Sequence, residues 1–289
     1  MGEARLSLSF CVLGSGSKGN CTLLALHHPR KPRYFLIDCG LSMRATAQRL
    51  APLGIGIEHL SAILLTHLDG DHYQQNWIKR IRRHDIPVFL HLRHRTLALR
   101  SGLDGRHINL FREPFHLGED TRIEPLMLAH DDIGSTGFII EHRGARLGWA
   151  TDLGRITPSL LERFVNLHAL AIESNYDPGM QIASDRPLFL KRRIMGGAGH
   201  LANDQSLDAV IQIDRRSALT HVVTLHLSQQ CNHPRIVERL YAQRAPHLLR
   251  QLTVAHQQRP TPVLDVPGDD HQAHPSGAST RRGDQLAMF

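Results

Sequence analysis

The sequence lacks long hydrophobic runs. Hydrophobic residues make up 41% of its 289 residues, enough for a globular core. No stretch approaches the roughly 20 apolar residues that a membrane-spanning helix needs. Cysteine is scarce as well: Cys11, Cys21, Cys39 and Cys231 are scattered, with no CxxC pair. That spacing fits a reducing cytoplasm better than a disulfide framework. The opening MGEARLSLSFCVLGSG has an acid near its start. It lacks the basic start and small-residue cleavage site of a secretion signal, so a cytoplasmic location is expected. No internal repeat is present.

The charge is lopsided. Lys and Arg number 34 against 27 Asp and Glu, for a net +7 and a pI near 9.7. The 34 residues from His256 onward contribute −1, so the preceding body carries +8. Basic clusters recur at Lys79-Arg80-Arg82-Arg83, Arg93-Arg95-Arg100 and Lys191-Arg192-Arg193. Each alone reads as a solvated helix face; together they are the footprint expected of a phosphate-rich partner. Histidine is abundant, at 21 residues, so no single histidine is strong evidence of a site.

Short apolar strands alternate with helical patterns. Strands are expected at Leu6–Leu13, Cys21–Leu26, Tyr34–Asp38, Ala62–Thr66, Val88–His91, Arg122–Ala129, Thr136–His142, Arg146–Thr151, Ala169–Glu173 and His221–Leu225. Helices are expected at Met43–Ala51, Tyr73–Arg83, Ser159–Phe164, Leu188–Ile194, Asp204–Ile213 and Pro234–Gln243. The mixture predicts an α/β domain over residues 1–255, with mixed sheets and helices packed outside them. From His256 a polar, Pro- and Gly-punctuated segment follows, expected to be a disordered tail over 256–289. It ends on the apolar pentapeptide QLAMF.

The chemistry concentrates where apolar strands stop. In LLTHLDGDHYQ, His67, Asp69, Asp71 and His72 fall within six residues directly after a buried-strand pattern. Imidazole nitrogen and carboxylate oxygen both bind divalent cations. Other candidates end later strands: Asp38, His130, Asp152 and His226. One polar residue at a strand end is usually a turn former, but the recurrence matters. If these strands lie side by side, His67, Asp69, Asp71, His72, His130, Asp152 and His226 reach one rim, seven donors and enough for two metals sharing a carboxylate. The loop Gly14–Asn20 offers Ser17, Lys18 and Asn20 to a phosphate, although it lacks the GxxxxGK[ST] spacing and a following helix. A plain hairpin turn is its other reading.

This ordered set resembles the metallo-β-lactamase fold, whose signature is HxHxDH, then His, Asp and His. It is similar in particular to the YycJ/WalJ-like branch. LGSGSKGNCTLL, DCGLS, LLTHLDGDH, HDDIGSTGF, ATDLG, IESNYD, GHLANDQ and LHLSQQCN carry the resemblance over about residues 8–245. It implies a four-layer αβ/βα sandwich with two mixed β-sheets and two divalent ions, Mn²⁺ or Zn²⁺ with Mg²⁺ also possible, at one edge. By the resemblance His67, Asp69 and His130 hold one ion, and Asp71, His72 and His226 the other. Asp152 bridges them, Asp38 orients a ligand histidine, and Asp71 and His200 are catalytic. His200 contacts the substrate phosphate, and since Ala202 stands where relatives carry a hydroxyl, Asn203 or backbone N–H groups substitute for that donor. Glu173, Asn175 and Asp177 recur in the branch without an assigned role.

The implied activity is a 5′-directed DNA exonuclease of repair or replication, using a metal-bridged hydroxide for in-line attack. Asp69 departs from the family histidine. A harder carboxylate donor favours Mn²⁺ or Mg²⁺ over Zn²⁺; in the alternative it does not reach, and that site is weak or empty. The terminal Gln285, Leu286, Met288 and Phe289 resemble the peptide that docks into the bacterial sliding clamp. A ribonuclease or small cyclic-phosphodiester hydrolase, and a catalytically weak clamp- or DNA-binding adaptor, are the competing functions.

Overall fold

A computed structural model describes residues 6–28 and 31–268. Two seven-stranded sheets face each other. The first comprises β1 (Leu6–Gly14), β2 (Cys21–Leu26), β3 (Arg33–Ile37), β4 (Leu60–Leu64), β5 (Val88–His91), β6 (Ile108–Phe111) and β14 (Leu264–Pro267), in the order β14-β1-β2-β3-β4-β5-β6. The second comprises β7 (Phe115–His116), β8 (Thr121–Leu128), β9 (Ser135–His142), β10 (Ala145–Ala150), β11 (Ala169–Glu173), β12 (His221–Leu225) and β13 (Leu252–Val254), in the order β13-β12-β11-β10-β9-β8-β7. Each sheet is antiparallel at one end and parallel at the other. The parallel runs are β3 to β6 and β10 to β13.

Side-chain alternation builds the layers. In β1, Leu8, Phe10 and Val12 enter the core between the sheets, while Cys11 and Leu13 face the opposite side. That is the two-residue period of a strand buried on both faces. Helices α1 (Met43–Leu50), α2 (Ile78–His84) and α3 (Arg95–Arg100) flank the first sheet. Helices α4 (Pro158–Arg163), α7 (Asn203–Asp214) and α8 (Pro234–Arg244) flank the second, and α5 (Pro178–Ala183) and α6 (Leu188–Met195) lie near one rim. The expected four-layer sandwich with two mixed sheets is therefore present. Among the described residues no helix is long and apolar enough to cross a membrane.

One expected boundary fails. Residues 256–268 belong to the fold, not to a tail. Thr261 N–H donates to the Val12 carbonyl at 3.0 Å, its hydroxyl accepts Val12 N–H, and β14 pairs antiparallel with β1. The Pro-rich composition concealed an edge strand, the place where proline is tolerated because no ladder partner needs its N–H. The terminal Gln285, Leu286, Met288 and Phe289 lie outside the described residues.

Candidate metal centre

Six strand ends supply the site. Asp38 follows β3, His67 follows β4, His130 follows β8, Asp152 follows β10 and His226 follows β12, while Glu173 closes β11. Asp38, Asp152 and His226 have left-handed backbone, with φ of 59°, 49° and 56°. Each such conformation costs about 1–2 kcal/mol and persists where surrounding bonds over-determine it. Asp38 accepts Thr66 N–H at 2.8 Å. The Asp152 carbonyl accepts the Ser135 hydroxyl at 2.7 Å. His226 N–H donates to Ser15 Oγ at 2.8 Å, and its carbonyl accepts Asn175 Nδ2 at 2.8 Å.

The loop carrying His67 to His72 is clamped from below. The Asp71 carbonyl accepts Asn20 N–H at 2.6 Å, and the His72 carbonyl accepts Cys39 N–H at 2.9 Å. The approach is so close at Gly40 that a Cβ there would sit 1.7 Å from the Asp71 carbonyl oxygen. No other residue fits.

All seven expected donors meet. His67, Asp69 and His130 form one group whose candidate ligand atoms lie within 4.8 Å of one another; Asp71, His72 and His226 form a second. Asp152 joins both sides, grouping with His67 and His72 and also with His200 and His226. Its Oδ2 is 2.6 Å from His72 Nε2 and its Oδ1 3.3 Å from His226 Nδ1. Asp71 Oδ2 lies 3.1 Å from His226 Nε2. Asp69 is the outlier: its side chain is 55% exposed and its Oδ2 is 3.9 Å from His67 Nε2.

The imidazoles are held by their far nitrogens. Nδ1 of His72 donates to Asp38 Oδ2 at 2.7 Å, Nδ1 of His67 meets Thr66 Oγ1 at 2.9 Å, and Nδ1 of His130 donates to the Gly199 carbonyl at 3.1 Å. This leaves Nε2 as the inward atom, the arrangement that fixes tautomer and ring orientation in metal sites. Asp38 thus holds the His72 ring from its outer nitrogen.

Charge in the cluster is strongly coupled. Burial opposes ionisation of His72, but Asp152 and Asp38 prevail and lift its pKa well above the ordinary histidine range. Burial likewise opposes a charge on His226, yet Asp152, Asp71 and Glu173 raise it to about 9. For Asp71, burial is outweighed by the His226 hydrogen bond and His72, which bring it to about 2. Burial and the neighbouring His72 hold His67 well below its usual value. Buried carboxylates are therefore compensated by protons that a divalent cation would displace. Nitrogen and carboxylate donors gathered on one rim, the imidazoles buried with their outer atoms anchored, fit such ions.

Glu173 has a role the sequence left open. It is fully buried, its Oε2 accepts Leu153 N–H at 2.8 Å, and its Oε1 meets His200 Nδ1 at 2.7 Å and His226 Nδ1 at 3.2 Å. Although it groups with Asp152, His200 and His226, these contacts occupy both oxygens, making it an orienting carboxylate. Its place at the end of β11 obeys the same strand-end rule as the other donors, and that signal could have found it. Asn175 also has a position: its Nδ2 lies 3.0 Å from His226 Nδ1. Asp177 caps α5, accepting Met180 N–H.

Two expected substrate contacts are not available. Asn203 is buried, its Oδ1 accepting from Ser174 and Asn232 and its Nδ2 donating to Asn232. Asn20 is buried too, bound to Gly16, Ser15 and Asp71, with Nδ2 2.9 Å from His72 Nε2. Both amides are consumed in joining loops. Ser17 and Lys18 remain exposed on the β1–β2 loop, and His200 is partly open, its side chain 22% exposed.

Comparison with known proteins agrees with this fold. A family model described as beta-lactamase superfamily domain matches residues 33–222. Exodeoxyribonuclease YycJ of Bacillus anthracis is 26% identical over 232 residues, 78% of this chain and 85% of that protein. Exodeoxyribonuclease WalJ of Streptococcus pneumoniae is 24% identical, covering 72% of this chain and 78% of that one. Among solved structures, the metallo-beta-lactamase fold protein YhfI from Bacillus subtilis superposes with a TM-score of 0.65 at 15% identity, over 88% of this chain and 98% of the other.

Proposed function

The chain belongs to the beta-lactamase superfamily domain family, and from that membership we propose that it is a divalent-metal-dependent phosphodiesterase, specifically a 5′-directed DNA exonuclease of repair or replication. The observation that carries this reading is the convergence of two donor groups on one rim with Asp152 common to both sides. The basic body supports a polyanionic substrate, and the exodeoxyribonuclease relatives support DNA. A cytoplasmic site of action accords with the paucity of cysteine.

His67, Asp69 and His130 would hold one cation and Asp71, His72 and His226 the other, with Asp152 between them. Two divalent cations so held supply Lewis acidity, polarising the phosphodiester and making water nucleophilic near neutral pH. The protein does the rest. Asp38 keeps His72 aimed inward. Glu173 holds Nδ1 of His200, leaving Nε2 to bond a phosphate oxygen or to give a proton to the leaving oxygen. Ser17 and Lys18 stand ready for phosphates of the incoming strand. Asp69, a hard and half-exposed donor, biases its ion towards Mn²⁺ or Mg²⁺.

The terminal Gln285, Leu286, Met288 and Phe289 would dock into an apolar pocket of the bacterial sliding clamp. Such tethering raises the enzyme's effective concentration at DNA.

The test is cleavage of 5′-labelled and 3′-labelled DNA and RNA oligonucleotides with Mn²⁺, Mg²⁺ or Zn²⁺, beside Asp71→Ala. DNA should shorten from its 5′ end, and the variant should lose about 100-fold or more. Preference for RNA would move the assignment to a ribonuclease. Full activity in Asp71→Ala would sink the metal mechanism.

A further inference from the structure

The three most exposed large apolar side chains among the described residues are Phe189 at 74%, Leu188 at 70% and Ile182 at 63%; the next, Val263, is at 44%. All three lie in α5 and α6, which Lys191 joins by donating to the Ile182 carbonyl at 2.7 Å. Exposed apolar side chains concentrated in one place mark a binding surface.

Helix α6 is fastened to the metal rim. The Ile194 carbonyl accepts His200 N–H at 2.8 Å, Arg193 pairs with Asp131 at 2.7 Å, and Asp131 N–H donates to the Ala198 carbonyl at 2.8 Å. Phe189 precedes Ile194 by five residues, about 7.5 Å along a helix axis or roughly two base steps of a nucleic-acid strand. Arg192 and Arg193 follow Phe189 at helical spacings of three and four, so the ring and two guanidinium groups share a face. Arg155 donates to the Gly197 carbonyl in the same connection. Asp131 is paired with Arg193, the exposed Asp69 and Asp132 also act on that guanidinium, and Asp185 is exposed just before α6.

We propose that Phe189 is a stacking platform for a base of single-stranded nucleic acid, with Arg192 and Arg193 against the adjoining phosphates. The proposal rests on the phosphodiesterase reading above, whose substrate it narrows to a strand with unpaired bases beside the scissile phosphate. An apolar ring flanked by cations is complementary to a planar base on a polyanionic backbone. A purely apolar protein surface would desolvate Arg192 without a partner, Arg193 alone being paired, with Asp131. Every base has a π-face, so recognition here is tolerant of sequence.

The test uses the full-length Mn²⁺-loaded protein and a cleavage-resistant phosphorothioate single strand carrying 2-aminopurine at successive positions. One position should be quenched by stacking. Phe189→Ala should remove that quench and weaken binding about tenfold, and Phe189→Trp should restore both. Removing the base at that position should weaken wild type but not Phe189→Ala. Circular dichroism melting of each variant reports its folding. Equal affinity of wild type and folded Phe189→Ala, indifference of wild type to the missing base, or no binding at all would overturn the proposal. So would a wild-type dimer that Phe189→Ala breaks without changing DNA affinity, which would assign the patch to a second copy. Cleavage of unmodified strands is scored separately. Binding through Phe189 without cleavage removes the nuclease and keeps the platform; cleavage indifferent to Phe189 does the reverse.

Discussion

In the two-ion reading proposed above, Asp69 stands where the HxHxDH pattern that the sequence resembles has a histidine. Its side chain reaches towards solvent while His67 and His130 are buried. A carboxylate in that place trades a borderline imidazole donor for a hard oxygen. Asp69→His should therefore tighten Zn²⁺ binding relative to Mn²⁺ by about tenfold or more, read by competitive metal titration, with the Mn²⁺-supported rate falling. A second residue tests electrostatics away from the centre. His94 is buried, neither ring nitrogen makes a well-formed hydrogen bond, and burial, then His91 and Arg93, depress its pKa to about 4. The folded chain then binds its proton less readily than the unfolded one. Its contribution is intact above the ordinary histidine pKa and is lost as pH falls from about 6.5 towards 4, on the order of 2–3 kcal/mol. Denaturant melts of His94→Leu should lose part of that acid sensitivity, whatever the apolar substitution does to stability at neutral pH.

At the scale of elements, long two-sided strands were legible because buried runs such as Ala169–Glu173 have no polar alternate positions. The short edge strands were not. β6, β7, β13 and β14 span four residues or fewer, too short for a period to emerge, and helices α3 and α5 are six residues each. β14 shows what is at stake. Leu264 and Val266 are buried beside β1 while Asp265 points out. Losing both burials costs about 3–6 kcal/mol and bares a sheet edge. A chain ending at residue 255 should unfold at markedly lower temperature or aggregate, whereas one ending at 268 should melt like the full-length protein; differential scanning calorimetry distinguishes them.

The whole molecule is a pair of half-parallel sheets whose strand ends open on one rim, with His200, α6 and the β1–β2 loop around it. The same chain ending at 268 should keep metal binding and cleavage of free oligonucleotides. It should lose binding to the bacterial sliding clamp in a calorimetric titration, and undiminished binding would dispose of the docking role of Gln285 to Phe289.

By itself the sequence determined the fold class and the seven metal-site candidates. Apolar runs set the strands of a mixed α/β fold and polar residues directly after them mark the ends, while the four-layer sandwich came from the resemblance of the motifs. Only the tertiary structure decided which polar groups are spent and which are available. Glu173 became an orienting carboxylate because β11 lies between β10 and β12. Asn20 and Asn203 lost their expected substrate contacts because neighbouring loops consume their amides. Hydrogen-bond satisfaction in a buried site depends on partners 20 to 211 residues away, and no local pattern carries that information.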